Sequence, residues 1–430
     1  MFLKRFLWAG VCACLALPVW ATDSRAVSLS ISASGAQQID PSLTAFIEQV
    51  WAESPAVQGA QAALEAAQAR VEGADKPLHN PALEFDTERT DINTTSLGFS
   101  QTLDWSDKRG ALSRIAKQEL QAAGAGVLKQ RQSVAVEALQ ALAGYFTALE
   151  TQALTQRRSE LMQGFVDAAK QRRAAGDLAA LDVTLAQVAY SEALMAQAAS
   201  ESELAQREAA LQAVSGLTLA QWPPLPSELA APPAQVNPAL LESLPELAVL
   251  RGRRETARAR INLAERQGRM DPTFGVRAGR EDSETLLGLS FEIPLFVRNN
   301  FKAEVRAASQ DAIVEDQIYR DAHRRAAARL NGALGRFLNT SRAWQAWLAT
   351  GQQARREQMK LLELMWQAGE LTATDYLIQA KQNIDTQAAA TALMGEVWQS
   401  AIAWLDASGQ VGQWLGVAPT TAAQTKNFGE

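Results

Sequence analysis

Few residues in this chain have the types and spacing that enzyme or metal chemistry requires. Its 430 residues include two histidines, His79 and His323, and neither has a second ligand at metal-binding spacing. The sequence contains no glycine-rich phosphate loop, no nucleophile elbow and no HExxH helix. The many acidic residues are typical of solvated helix faces. We therefore predict no catalytic residue, no metal site and no cofactor, and a protein that is not an enzyme.

One acidic position recurs in a longer motif. AGDLAALD at 175–182 is matched 193 residues later by AGELTATD at 368–375. Gly176 and Gly369 supply the positive φ that ends a helix sharply, and the acid after each glycine is favoured near the start of a returning helix. Both octapeptides are therefore predicted to be turns between antiparallel helices.

Helix capping leaves part of this motif unexplained. It does not require an apolar residue at an exposed turn, yet Leu178 and Leu371 both stand there. It also does not explain why an aspartate, Asp182 or Asp375, follows six positions after each glycine.

The elements that position these turns occur twice along the chain, in the same order. Asn80-Pro81 is matched by Asp271-Pro272 at an offset of 191 residues. SLGFSQ at 96–101 is matched by LLGLSF at 286–291 at an offset of 190 residues. Each copy is predicted to contain a helix, a β-hairpin, a long helix, the turn and a return helix. The predicted segments are a signal peptide (1–21), an extended N-terminal segment (22–41), a first repeat (42–216), a Pro-rich linker (217–244), a second repeat (245–409) and a flexible tail (410–430).

The long helix of each repeat carries an apolar seam typical of a coiled coil. Its residues are Leu139, Leu142, Phe146 and Leu149 in the first copy, and Leu330, Leu334, Phe337, Trp344 and Leu348 in the second. The first helix is predicted to run from an N-cap at Ser106 to Ala174, on the order of 100 Å at 1.5 Å per residue. A rod of this length indicates that a distance must be spanned.

The hairpins at 82–103 and 272–293 alternate apolar and polar residues over about nine residues per strand, a pattern typical of transmembrane β-barrels. The predicted lipid-facing residues are Leu83, Phe85, Leu97, Phe99, Phe274, Val276, Leu287, Leu289 and Phe291. The alternation alone fits surface hairpins equally well. Within a membrane, however, the sheet must close, so two chains would give eight strands and three would give twelve. Glycine, serine and acids on the other face favour an open bore and hence a trimer.

The first 21 residues indicate export. Lys4 and Arg5 precede an apolar run from Phe6 to Leu17, and Val19-Trp20-Ala21 fits a signal-peptidase site. Lipidation of Cys14 is the alternative. Removal of this segment changes the formal charge from −6 to −8, because Lys4 and Arg5 are lost. An acidic, exported chain argues against a nucleic-acid partner.

These features together, with NPALEFDTE, GLSFEIPLFVRNN and the paired turns, resemble the TolC family of outer-membrane efflux ducts. IPLFVRNN and DPTFGV most resemble the branch that serves heavy-metal and cation exporters. The resemblance implies a mainly α fold with a small β part: a homotrimer with a helical barrel in the periplasm and a 12-stranded barrel in outer-membrane lipid. It implies as partners a periplasmic adaptor and a proton-driven (RND-type) pump in the inner membrane.

The same resemblance assigns roles to the turns. Gly176, Leu178, Gly369 and Leu371 fall in the tip that meets the adaptor. Asp182 and Asp375 match acids that narrow the periplasmic mouth. The tyrosine and arginine latch positions of some members fall on Trp366 and Leu371, and a second acid falls on Ile378. A gate based on charge repulsion or on packing by Trp366 is therefore expected instead of a salt-bridged latch, with simple helix capping by the aspartates as the alternative.

The predicted function is a passive exit duct of a tripartite efflux system, with heavy-metal cations as cargo. A duct for drugs or for secreted polypeptides is the alternative within that class. A periplasmic coiled-coil scaffold, whose hairpins pack on its own helices, is the alternative from another class.

Overall fold

The structure is a computed structural model that describes residues 29–32 and 39–417. The predicted signal peptide with Cys14 lies outside the described residues, as do much of segment 22–41 and the end of the predicted tail. None of the helices in the described part is long and apolar enough to cross a membrane.

The first repeat has the predicted order of elements. After a short strand β1 (Ser30–Ser32) come α1 (Pro41–Glu53), α2 (Pro55–Ala74), β2 (Ala82–Arg89), β3 (Asn93–Thr102), α3 (Lys108–Ala174) and α4 (Ala180–Ser215). Prolines at the first positions of α1 and α2 set the backbone angle that a helix start needs. The 67 residues of α3 span about 100 Å, in agreement with the predicted rod.

The start of α3 differs from the prediction. Asp104 caps this helix, because its two carboxylate oxygens accept hydrogen bonds from the backbone nitrogens of Lys108 (2.7 Å) and Arg109 (2.8 Å). Ser106, the predicted N-cap, is buried and donates its hydroxyl to Asp271 at 2.8 Å. Ser106 therefore joins the two repeats at the strand-to-helix junction instead of starting the helix.

The second repeat follows the linker and repeats the pattern with one interruption. Its elements are β4 (Glu228–Ala230), α5 (Ala239–Glu242), α6 (Pro245–Gln267), β5 (Thr273–Glu281), β6 (Glu284–Glu292), α7 (Lys302–Ala346), a π-helical turn (Trp347–Gly351), α8 (Gln352–Gln367), α9 (Ala373–Ser408) and α10 (Val411–Trp414). The wide π turn divides the second rod, whereas α3 is continuous. Gly351 fits there because a β-carbon would overlap the Trp347 ring.

The four long strands form one antiparallel sheet in the order β2-β3-β5-β6, so the hairpins of the two repeats lie side by side. Strands β3 and β5 join them, with Phe99 opposite Val276. The outer edges of β2 and β6 have no strand partner within the described chain. The predicted mainly helical fold with a small sheet is confirmed.

The largest core lies where the two repeats pack against each other. Leu139 and Leu142 of α3 and Leu330 of α7 are fully buried there, as the seam predicted. Leu149, placed in the same seam, is instead exposed. A second, smaller core lies at the far end of the rods, beside the two turns.

The linker and the start of the tail are more ordered than predicted. In the linker, β4 pairs in parallel with β1, and Trp222 and Leu229 are buried in the main core. In the tail, α10 places Val411 and Leu415 in that core, each almost fully buried. Proline content in the linker prevented neither burial nor the short helix α5, and a four-residue helix such as α10 is too short to show periodicity.

Candidate functional site: the tip turns and the strand faces

Both predicted turns have the backbone that their glycines indicated. Gly176 has φ 88° and Gly369 has φ 78°. In the first turn the amide of Gly176 donates to the carbonyl of Arg173 (3.0 Å), and that of Asp177 donates to the carbonyl of Arg172 (2.9 Å). This is a Schellman motif, which satisfies the last carbonyls of a helix and stops it sharply.

The second turn repeats this geometry. The amide of Gly369 donates to the carbonyl of Trp366 (3.1 Å), and that of Glu370 donates to the carbonyl of Met365 (2.9 Å). Leu371 and its counterpart Leu178 are half-buried and pack against the small core beside the turns. The structure therefore gives both leucines a packing role, and adaptor contact by these tips remains a prediction.

The two gate aspartates occupy equivalent positions at the starts of α4 and α9. The Asp182 carboxylate accepts a hydrogen bond from the backbone nitrogen of Ala179 at 3.2 Å. The Asp375 carboxylate accepts one from the hydroxyl of Thr372 at 2.7 Å, and that hydroxyl accepts the backbone N–H of Asp375. Both acids thus stabilise helix starts, with Asp182 half-buried and Asp375 exposed.

An aromatic cluster holds the end of α3 against the second turn. Phe165 lies 4.9 Å from Trp366 and 5.2 Å from Tyr376 between ring centroids, and the Trp366–Tyr376 distance is 5.3 Å. The Arg172 guanidinium lies 4.3 Å from the Trp366 ring centroid and donates a 2.8 Å hydrogen bond to the Trp366 carbonyl. Trp366 is therefore a packed side chain that joins the two repeats.

Sequence reasoning identified Trp366 and missed its three partners. The signal available was the presence of a basic or aromatic side chain within four residues before each turn glycine, at Arg172 and Trp366. Burial raises the pKa of the Tyr376 hydroxyl to about 12, with a further contribution from the negative charge of Glu363. Tyr376 is consequently neutral at any physiological pH.

The predicted lipid-facing residues fall on one face of the sheet. The register aligns Leu83, Phe99, Val276 and Leu289 in one cross-strand row, and Phe85, Leu97 and Leu287 in the next but one. Phe274 and Phe291 are paired in a further row with ring centroids 4.9 Å apart. These side chains remain exposed in the single chain, up to 88% for Leu289. An exposed apolar face of this kind is typical of a surface that binds another protein or a membrane, and contact with lipid remains a prediction.

Neither histidine belongs to a metal site in the described structure. His323 lies 6.2 Å from the ring of Tyr319, and His79 stands before β2. Within residues 29–32 and 39–417, no three His, Cys, Asp or Glu side chains come together in a metal-binding arrangement.

The first repeat matches a known family. The model of the outer membrane efflux protein family matches residues 46–217, which covers α2, the first hairpin, α3 and α4. This part of the chain, about two fifths of its length, is therefore similar to outer membrane efflux proteins.

A curated relative and two solved structures are also similar to this chain. The nickel-cobalt-cadmium resistance protein NccC of Alcaligenes xylosoxydans xylosoxydans is 27% identical over 294 residues, which cover 64% of this chain and 66% of the relative. The chain thus spans just under two thirds of that relative.

The solved structures show the fold over most of the chain. The outer-membrane channel OprN superposes with a TM-score of 0.74 at 16% identity, covering 86% of this chain and 90% of its own. CusC, a protein that forms a transmembrane channel, superposes with a TM-score of 0.73 at 16% identity, covering 89% and 95%.

Proposed function

We propose that three copies of this chain form the outer-membrane exit duct of a tripartite efflux system, a passive channel with no enzymatic activity. The observation that carries this proposal is the four-stranded sheet with an exposed apolar face and two unpaired edges. Unpaired backbone groups are too costly in hydrocarbon, so the sheet must close with other copies. Three copies give twelve strands and a bore wider than that of a side-chain-filled eight-stranded barrel.

The helices supply the rest of the duct. Each copy contributes two rods, α3 and the α7–α8 pair, that begin beside the sheet and end at the tip turns. Six such rods would enclose a passage about 100 Å long below the barrel. The tip residues Gly176, Leu178, Gly369 and Leu371 would then contact a periplasmic adaptor, which links the duct to an inner-membrane pump of the RND type.

The proposed cargo is heavy-metal cations. The support is the relative NccC, named for nickel, cobalt and cadmium resistance, together with the metal-exporter resemblance of IPLFVRNN. A duct of this kind needs no tight metal site, because conduction requires weak contacts.

The membrane assignment is tested by a pair of neighbouring residues on opposite faces of β6. Leu289→Arg, and likewise Phe99→Arg, should impair insertion, at roughly 2–4 kcal/mol per chain near the bilayer midplane. Ser290→Arg, on the polar face, should insert normally. The readouts are resistance to carbonate extraction and a heat-labile trimer on gels. Equal insertion of all three variants, or recovery in the soluble periplasm, would favour the scaffold instead.

Cargo is tested separately in a deletion strain. Growth should fail at lower nickel, cobalt and cadmium concentrations than in the parent strain, while drug tolerance and secretion stay unchanged. Complementation with the wild-type chain should restore metal tolerance, and with Leu289→Arg it should not. A strain sensitive to drugs alone would assign this duct to drug efflux.

We further propose that Asp182 and Asp375 form an acidic ring at the periplasmic mouth, with Trp366 packing the helices behind it. Asparagine also accepts helix-capping hydrogen bonds, so Asp182→Asn and Asp375→Asn remove charge while keeping the caps. In planar bilayers the double variant should show weaker cation selectivity and weaker block by divalent ions. Retention of both properties would leave the aspartates as capping residues only.

A further inference from the structure

The polar face of the sheet carries more acidic than basic side chains. Within the four described strands it carries six acidic side chains and a single basic one. The acids are Glu84, Asp86, Glu88, Glu281, Glu284 and Glu292, and the base is Arg277. If the opposite face meets lipid, this face lines the bore, so Arg277 is the one positive charge that each copy presents there.

Arg277 sits in a cross-strand row with two glycines. Glu84 is opposite Gly98, Gly98 is opposite Arg277, and Arg277 is opposite Gly288. The two glycines differ in how they meet the arginine. A β-carbon at Gly288 would lie 2.6 Å from Nε of Arg277 and 2.9 Å from its Cγ, whereas one at Gly98 would have no neighbour closer than 3.5 Å.

These distances show where the arginine stem lies. Its Cγ, Cδ and Nε atoms rest directly over Gly288, in the space that any other residue would fill. The side chain therefore lies along the wall of the sheet instead of standing perpendicular to it. A β-carbon at Gly288 would overlap the middle of this stem and so displace it from the wall.

We propose that Arg277 moderates the cation selectivity of the bore and that Gly288 is the positioning residue that keeps its side chain flat against the barrel wall. This inference rests on the proposed duct. In a closed trimer, the bore would contain three copies of Glu84 and three of Arg277, each pair in the same cross-strand row. Rings of charged side chains determine which ions pass a pore, so a flat arginine tempers an acidic bore without narrowing it.

The test is single-channel conductance and reversal potential in planar bilayers under a potassium chloride gradient. All channels carry Asp182→Asn and Asp375→Asn, so that the charges of the tip do not contribute to the measured ion selectivity. Gly288→Ala should lower the conductance and shift the reversal potential towards anions, since it lifts the guanidinium into the bore. Gly98→Ala is the matched control and should change neither property.

Two variants distinguish an effect of the Arg277 side chain from an effect of the added β-carbon on the backbone. Arg277→Ser should shift the reversal potential towards cations with no loss of conductance. Arg277→Ser combined with Gly288→Ala should lose the defect of Gly288→Ala alone.

The inference is overturned if Gly288→Ala conducts as its parent does, or if the double variant keeps the defect. Should Gly288→Ala not insert, an unchanged reversal potential in Arg277→Ser overturns it. A parent trimer that inserts but does not conduct would instead remove the proposed duct.

Discussion

Three positions before its glycine, the first tip turn has Arg173 and the second has Trp366. The offset of 193 residues that aligns the glycines also aligns Val183 with Tyr376 and Phe165 with Gln358. Arg173 is exposed, whereas Trp366 is 7% exposed. The duplicated turns thus share a backbone, while the aromatic packing between them takes unlike residues from each copy. A duplication can keep a turn and still develop an asymmetric contact behind it.

The comparison predicts its largest effect at Trp366. Trp366→Ala should destabilise the tip by about 3–5 kcal/mol, since it empties a buried aromatic site. The counterpart Arg173→Ala should stay within about 0.5 kcal/mol, as expected for an exposed residue. Hydrogen exchange of the amides of α8 and α9 measures the local opening free energy. Equal losses in the two variants would show that the aromatic cluster does not stabilise the tip.

The shared backbone predicts equal effects at the glycines. Gly176→Val and Gly369→Val should each cost about 1–3 kcal/mol, because both force a β-branched residue to positive φ. Neither site has a crowding neighbour, since the nearest atom to an added β-carbon is Nη2 of Arg172, 3.8 Å from Gly369. Gly164→Val, inside α3 near its C-terminal end, is the control and should be close to neutral, since no atom lies within 4 Å of an added β-carbon there. Trimers should persist while export falls, and unchanged cross-linking of either tip variant to the adaptor would remove the turn as the docking surface.

A smaller difference lies in the caps. Thr372→Ala should cost about 1 kcal/mol at the start of α9, because it removes the hydroxyl that caps this helix. The reciprocal change Ala179→Thr should strengthen the start of α4 by a similar amount, since the equivalent position lacks a hydroxyl. Exchange rates of the first-turn amides give both values. If Ala179→Thr has no effect, the Asp182 carboxylate already satisfies that helix start.

The smallest effect is expected from Tyr376. It is absent at neutral pH and appears only in alkaline solution. The folded-state pKa is raised to about 12 from 10.0, so the stability from the neutral hydroxyl is fully present below pH 10 and is lost as pH rises towards 12. Tyr376→Phe should remove this part of the alkaline loss, because a phenyl ring does not titrate. Heat-denaturation midpoints across this range provide the measurement. Superimposable pH profiles for the wild type and Tyr376→Phe would contradict the burial argument.

Local chemistry made part of this structure predictable. Gly176 and Gly369 indicate positive φ from the sequence alone. The strict alternation of apolar and polar residues placed Leu83 and Leu289 on one face, because side chains alternate along a strand. The contact of Arg172 with Trp366 depends instead on how two helices 194 residues apart along the chain dock. The same holds for Trp222 and Val411, whose burial follows from the core they meet and not from any periodicity of their own segments.

The π turn at Trp347–Gly351 would give the proposed duct a mechanical property. Of the two rods in each copy, α3 is hydrogen-bonded without a break, whereas the second changes its hydrogen-bonding pattern for one wide turn. Such turns are local weak points in bending, because the backbone there departs from the regular α-helical ladder. A ring of three copies would therefore alternate stiff and compliant rods. Elastic deformation of the passage would then concentrate at three equivalent hinges, all at the height of Gly351.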